Sequence, residues 1–355
     1  MTELAITALA AGGDGVGRDA DGRVTFVPRT APGDRVRVRV VRTARSFARA
    51  ELVEVLAPSP DRVPPPCIHF TRGCGGCQWQ HVARPAQLAA KQAIVENALR
   101  KLHVRVHPIA DPAPPYGWRR RARFHVAGGR AGLYAYGSHD LVAIDHCPQL
   151  MPALDAAYAV LAAAGPPDGE LELALAADGT VAAGSELVEL EPGLWLRARD
   201  FAQASADGNR ALIALVRAAL PAPRGRLLEL YAGAGNFTRA LVADGWDVIA
   251  SDVIAPARPV APFEHGPATE VLERVSGPFD AIVLDPPRTG AAESIAGIVQ
   301  HAPRTIVYVS CDPATLARDA ERLVAAGYRA SDAWPVDVMP QTAHVEVVLV
   351  LSNAP

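Results

Sequence analysis

The sequence predicts an α/β protein of three units, in which a carboxyl-terminal domain built on a doubly wound sheet follows a small β-barrel and a central β-containing domain. Three observations predict it. From about residue 201, short apolar strands such as Arg226 to Leu230 and Ala281 to Leu284 alternate with helical patterns, the signature of a parallel sheet covered by helices. Near the amino terminus Val36, Val38 and Val40 alternate with Arg35, Arg37 and Arg39 between glycine-bearing turns, the period of a half-buried strand. Between these regions, Pro64-Pro65-Pro66 closes a stiff linker and Cys67, Cys74 and Cys77 follow at once in a glycine-rich stretch. The boundaries read from these shifts are 1–58, 59–200 and 201–355.

Composition limits what such a chain does. Half of its 355 residues are hydrophobic and 21% are charged, and no apolar run approaches the roughly 18 residues that would cross a bilayer. Met1 to Ala11 lacks the basic start of a signal peptide, so the expectation is a soluble, cytoplasmic protein without a membrane partner, taken as a monomer. Five cysteines are too few for a disulfide scaffold and point to metal binding or chemistry. A net charge of −3 argues against general coating by nucleic acid, yet arginines crowd at 35–49 and at 119–123.

In chain order, Leu4 to Thr7, Val24 to Val27, Arg35 to Val40 and Glu51 to Leu56 read as barrel strands, with Gly12 to Gly17 and Pro32 to Asp34 as turns. The arginines fall on one outer face, which suits an OB-like barrel that contacts RNA. The cysteine spacing is a metal-ligand signal, and Cys147 is the one cysteine available as a fourth ligand once Cys311 is set aside. Four thiolates suit a [4Fe–4S] cluster, and a structural zinc accepts the same set, with His69 or His146 able to replace one. Residues 85–102 carry a helical pattern expected to dock on the carboxyl-terminal domain. Short strands within 121–196 and a helix over 151–164 make the central domain, and Trp118-Arg119-Arg120-Arg121 joins an aromatic ring to a basic cluster of use to stacked bases and phosphates.

In the last domain the strand 226–230 runs into the turn Tyr231 to Thr238, whose glycines let backbone approach a ligand. Glu229 suits the S-adenosylmethionine-binding version of this fold, and Asp252, at the end of the second strand, is placed to hold ribose hydroxyls. Pro256, Pro259, Pro262 and Pro267 forbid a regular helix through most of 253–278, so a loop is expected where a helix normally follows the second strand. Asp285, before Pro286-Pro287-Arg288, and Cys311, between Ser310 and Asp312-Pro313, each end a strand. Cys311 either faces a substrate, its thiolate favoured by the amino end of the next helix, or packs as a buried apolar residue.

Taken together, Leu228 to Thr238, Asp285-Pro286-Pro287-Arg288, Ser310 to Thr315 and His344-Val345-Glu346 resemble the RNA 5-methyluridine (uracil-C5) methyltransferases. The set Cys67, Cys74, Cys77 and Cys147 is similar to that of the iron–sulfur-containing 23S ribosomal-RNA branch, and the barrel is similar to its TRAM domain. The resemblance implies a Rossmann-like S-adenosylmethionine-dependent methyltransferase domain acting on RNA, ribosomal RNA before transfer RNA. It implies that Cys311 is the nucleophile that adds to C6 of uracil, that Asp285 holds the base, and that Glu346 removes the C5 proton. It also implies that Gln203, Tyr231, Gly233, Asp252 and Asp285 surround the cofactor. The chain departs from the family at Ser205, Asp252, Asp312 and Gln341 and in the shortened 253–278 region, which puts cofactor affinity in question. Two other readings stand beside it, an RNA-binding iron–sulfur protein with weak or no methyl transfer and a cytosine-C5 RNA methyltransferase.

Overall fold

The computed structural model describes residues 1–222 and 225–353. Strands β1 (Thr2–Leu9), β2 (Gly15–Arg18), β3 (Val24–Val27), β4 (Arg35–Thr43) and β5 (Phe47–Ala57) close a barrel in the order β1-β2-β3-β5-β4, with β4 pairing back to β1. Leu4, Ile6, Val27, Val36, Val38 and Ala50 fill it. Two details differ from the sequence reading. The glycine turn is shorter than expected, because Gly15 begins β2 at a point where a Cβ would lie 2.0 Å from Thr30 Oγ1. Val40 is 44% exposed rather than in the core, because β1 covers β4 only as far as Val38 and the rest of β4 pairs with β5 alone. The outer arginines are also charge-paired: Arg37 reaches Glu54 at 2.6 Å and Glu3 at 3.3 Å, and Arg39 reaches Glu51. Exposed pairs of this kind stabilise little, and they mute the positive face.

The central stretch comprises α1 (Ile68–Thr71), α2 (Arg84–Leu99), β6 (Arg105–Val106), β7 (Arg121–Ala127), β8 (Arg130–Tyr134), β9 (Leu141–Ala143), α3 (Pro152–Ala163), β10 (Gly169–Leu175), β11 (Val181–Ala183), β12 (Leu187–Glu191) and β13 (Leu194–Arg197). A five-stranded sheet in the order β11-β10-β7-β8-β9 packs on α3, where Tyr158 stacks on Phe124 at 3.8 Å. Strands β12 and β13 form a separate hairpin, of which the sequence reading found only the second strand. The Trp118–Arg121 cluster is an internal brace, not the nucleic-acid patch that was expected. Trp118 and Arg120 are buried. Arg120 donates to Glu191 at 2.6 Å and to the Gln203 carbonyl at 3.2 Å, and Arg121 donates to the carbonyls of Ala198 and Asp200.

The last unit comprises α4 (Ala206–Ala219), β14 (Arg226–Leu230), α5 (Thr238–Ala243), β15 (Asp247–Asp252), β16 (Phe263–His265), α6 (Ala268–Arg274), β17 (Ala281–Leu284), α7 (Ile295–Gln300), β18 (Thr305–Ser310), α8 (Pro313–Ala325), β19 (Tyr328–Val336) and β20 (Glu346–Asn353). Its eight-stranded sheet runs β16-β15-β14-β17-β18-β20-β19-β6. The sheet is not wholly parallel, because β20 is antiparallel to both β18 and β19. The connection from Val336 to Glu346 is too short for the crossover a parallel neighbour needs, so the chain turns straight back. Apolar layers lie on both faces: Val95, Leu272, Ile298 and Leu316 on one, and Leu212, Val216, Phe237 and Leu241 on the other. Residues 253–262 form no helix, as the prolines require, but β16 and α6 follow within the segment that was read as loop.

Helix α2 leaves the central sheet and lies against this last unit. Its Lys91 is fully buried, with Nζ 2.6 Å from Asp337 Oδ1 and 3.1 Å from the Met339 carbonyl, and Arg84 shares the same carboxylate. Burial lowers the Lys91 pKa to about 8 against the opposing pull of Asp337. Removing one partner of a buried pair strands the other charge, at a cost of about 3–5 kcal/mol. Asp337→Ala is therefore expected to lower the urea midpoint sharply. A double variant carrying Lys91→Met as well should recover much of the loss.

Candidate active site

The parallel strands β14, β15, β17 and β18 deliver their carboxyl ends to one edge of the sheet, and the antiparallel β20 begins at that same edge. Ser310 pairs with Val347, so Cys311, one residue past β18, comes beside Glu346, the first residue of β20. Leu284 pairs with Tyr308, which sets Asp285 on the other flank of β18. All three line one cavity of about 950 Å³, together with Arg288, Gln203, Tyr231, Gly233 and Asp252. Every residue that the resemblance assigned to catalysis or to the cofactor thus lines the same space.

The cofactor-side residues are held by local bonds. Asp252 accepts from the Gly233 N–H at 2.8 Å and from the Ile254 N–H at 3.0 Å, which ties the glycine turn to the proline loop. Tyr231 takes a left-handed backbone, φ 61°, and its hydroxyl meets Ser294 Oγ at 3.0 Å. The Gln203 carbonyl is held by Arg120. Glu229 lies behind the turn, with Oε2 accepting from Thr238 at 2.7 Å, and burial pushes its pKa up to about 8. Three departures from the family pattern have structural roles. Ser205 caps α4 by accepting from the Gly208 N–H, Asp312 caps α8, and buried Gln341 exchanges hydrogen bonds with Gln87.

Burial governs the electrostatics of the wall formed by Asp285, Cys311 and Glu346. Asp285 and Glu346 are both pushed above the usual carboxylate range by desolvation, and Asp285 adds to the shift at Glu346 while Arg288 opposes it. The Cys311 thiol is pushed up to about 11, first by burial and then by Glu346, with Arg288 pulling it down. This corrects the expectation that α8 would favour the thiolate. The Asp312 carboxylate already takes the N–H groups of Ala314 and Thr315, at 2.9 and 3.0 Å, so the helix end is neutralised by its own cap. Arg288 donates to the ring of His344, 2.8 Å from Nδ1, and burial with Arg288 lowers the His344 pKa to about 4, which leaves it neutral.

A second cavity, of about 130 Å³, is lined by Cys67, Cys74, Cys77 and Cys147, with Arg119, Gln80 and Gln149 among the other walls. All five cysteines are free thiols. Gln149 is buried with neither side-chain polar atom partnered, and Gln80 Oε1 is likewise orphaned. Buried amides of this kind call for a polar occupant. His69 is engaged by Asp145 at 2.6 Å and His146 by Asp155 at 3.0 Å. Among the described residues, no group of three or more His, Cys, Asp or Glu side chains is gathered as a single metal ion needs.

Sequence reasoning missed several walls of the large cavity. Asn236 lines it and exchanges amide hydrogen bonds with Asn209 at 2.7 and 2.9 Å. Trp195 and Phe201 line it from the central stretch. Asn236 lies within the glycine turn read from the sequence, but no periodicity or spacing marks Trp195 or Phe201, which reach the cavity only through tertiary contact.

The sheet order with its reversed strand, the glycine turn and the acid at the end of β15 place the chain in a class, the Rossmann-like S-adenosylmethionine-dependent methyltransferases. The TRAM domain model matches residues 2–53, and the tRNA (Uracil-5-)-methyltransferase model matches residues 272–354. The chain is 34% identical to the 23S rRNA (uracil(1939)-C(5))-methyltransferase RlmD of Chromohalobacter salexigens, over 99% of this chain and 89% of that protein. It is 33% identical to an uncharacterized RNA methyltransferase of Caulobacter vibrioides, over 99% of this chain and 100% of that protein. The crystal structure of the Pyrococcus abyssi tRNA (uracil-54, C5)-methyltransferase in complex with S-adenosyl-L-homocysteine superposes with a TM-score of 0.77 at 22% identity, covering 98% of this chain and 100% of that one. The chain belongs to the RNA uracil-C5 methyltransferase family.

The raised thiol has a direct readout. Only the thiolate reacts with iodoacetamide, so below the pKa its fraction grows tenfold per pH unit. Alkylation of the Cys311 peptide, followed by mass spectrometry, is expected to climb from pH 7 to 10 without the plateau near 8.5 of an ordinary thiol.

Proposed function

We propose that the protein methylates C5 of a uracil in RNA, with ribosomal RNA as the substrate class, through a transient bond between Cys311 and C6. The observation that supports it is the convergence of Cys311, Asp285 and Glu346 on the cavity that also holds Gln203, Tyr231, Gly233 and Asp252. C5 of uracil is a weak nucleophile until a nucleophile adds at C6, which makes an enolate. S-adenosylmethionine supplies an electrophilic methyl group when bound, against the walls named above.

The Cys311 thiol gives its proton to solvent as the base docks, favoured by the positive charge of Arg288, the nearby group that lowers the thiol pKa, and the thiolate adds to C6. The two buried carboxyls divide the remaining work. Asp285, its pKa raised by burial, holds a proton that it donates to the developing enolate oxygen and takes back as C5 attacks the methyl group, while Glu346, whose pKa Arg288 pulls down, works as the carboxylate. After C5 gains the methyl group, Glu346 removes the C5 proton, the C5–C6 double bond re-forms and the C6–S bond breaks. The target base has to leave its stack to reach a thiol at this depth. One thiol lines the cavity, whereas the cytosine enzymes use two, which favours uracil.

Cys311→Ala is expected to abolish turnover and to leave no covalent RNA complex. Glu346→Gln is expected to add and methylate but to retain the C5 proton, so a methylated protein–RNA adduct accumulates on denaturing gels. A labelled adduct with Cys311→Ala, or full turnover by either variant, sinks the assignment.

We also propose that Cys67, Cys74, Cys77 and Cys147 hold a [4Fe–4S] cluster. Four free thiols around one small cavity suit a group that fills it, and the orphaned Gln149 amide with the Arg119 charge suits an anionic one. The cluster would tie the loop at 67–77 to the central sheet at Cys147. Protein purified without oxygen is expected to contain about four irons and four sulfides per chain. One equivalent of zinc without iron contradicts the reading.

A further inference from the structure

The segment from Val253 to Pro262, which stands where a helix is usual, leaves and rejoins β15 and lines the large cavity with Val253 to Ala257. Ile254 N–H donates to Asp252 at 3.0 Å at one end, and the Pro262 carbonyl accepts from Ala250 N–H at 2.9 Å at the other. Pro256, Pro259 and Pro262 stiffen the span between. At its middle the Arg258 guanidinium lies 3.6 Å from the centroid of the Trp195 indole. Trp195 belongs to the β12–β13 hairpin, so the contact joins two parts of the chain that both line the cavity, Leu194 to Leu196 and Val253 to Ala257. Phe201, Val253 and Ile254 also line it and are 73%, 57% and 57% exposed, an apolar rim for a ligand to cover.

We propose that the stacking of Arg258 on Trp195 is a clasp over the methyl-donor site, and that Arg258 is a positioning residue that sets how fast the demethylated cofactor leaves. The proposal rests on the reading of this cavity as the S-adenosylmethionine site. A cation over an indole is held by the quadrupole of the ring, and at a partly exposed site the attraction slows opening by about two- to fivefold. The shortened segment thereby regains by a contact to the hairpin some of the closure that a helix gives, and the chemistry at Cys311 does not require the clasp to open.

The test is the release of S-adenosylhomocysteine from the full-length protein, followed by stopped-flow displacement. Arg258→Gln and Trp195→Leu are each expected to speed release by about two- to fivefold, and the double variant by no more than either alone. Arg258→Lys keeps a cation over the ring and should stay close to the parent rate. Glutamine is shorter and carries no charge, so a side chain that merely packs predicts the same change for Arg258→Lys as for Arg258→Gln. An unchanged rate in that variant, or single effects that multiply in the double variant, overturns the clasp. A parent protein that binds no S-adenosylhomocysteine overturns the reading of the cavity and the proposal with it, an outcome distinct from binding with an insensitive release rate.

Discussion

The antiparallel pairing of β20 with β18 is the constraint on which the site depends. In a parallel sheet every strand ends at the ligand edge and begins at the far one, so a residue at the start of a strand lies a strand's length from the chemistry. Reversal of one strand breaks that rule. Glu346 opens β20 and Cys311 follows β18, and the register through Ser310 and Val347 makes them neighbours. A slip by one residue would turn the β20 side chains to the opposite face and carry Glu346 away from the cavity. The long, fully buried run of β20, from Val347 to Leu349, opposes such a slip, because both faces of the sheet are packed.

Burial of that edge decides the acid–base behaviour. The same loss of water raises the thiol and both carboxyls, so the resting site favours neutral forms and Arg288 supplies the local positive charge. A thiol kept protonated resists adventitious alkylation and oxidation. The cap of α8 matters here. Asp312 stabilises the helix but occupies the N–H groups that a helix end would otherwise turn toward a thiolate.

The central stretch is woven into the methyltransferase sheet. Strand β6 extends that sheet beside β19, α2 buries Lys91 against Asp337, and Arg120 joins Glu191 to the backbone of Gln203. Glu191 in turn meets Asn209 and Arg239, and Asn209 pairs with the cavity residue Asn236. The position of the cavity wall at 201–203 is thus coupled to residues far away in sequence. The thiol-lined cavity is near this brace, since Arg119 lines it and Arg120, the next residue, holds Gln203.

Much of this was legible in the chain itself. The alternation of strands and helices after residue 201, the turn from Tyr231 to Thr238, and the strand-end positions of Asp252, Asp285 and Cys311 depend on local periodicity and on turn chemistry, which a sequence carries directly. The loss of the helix after Asp252 followed from its prolines, since proline removes a donor wherever it stands. The arginines at 119–121 misled because charge alone does not report burial, and Arg120 turned inward to meet Glu191, 71 residues away. Strand β19, the reversal of β20, the exposure of Val40 and the raised thiol of Cys311 belong to tertiary structure alone. Each depends on which segment lies alongside and how much water it displaces, and those are properties of contacts between distant residues that no local pattern encodes.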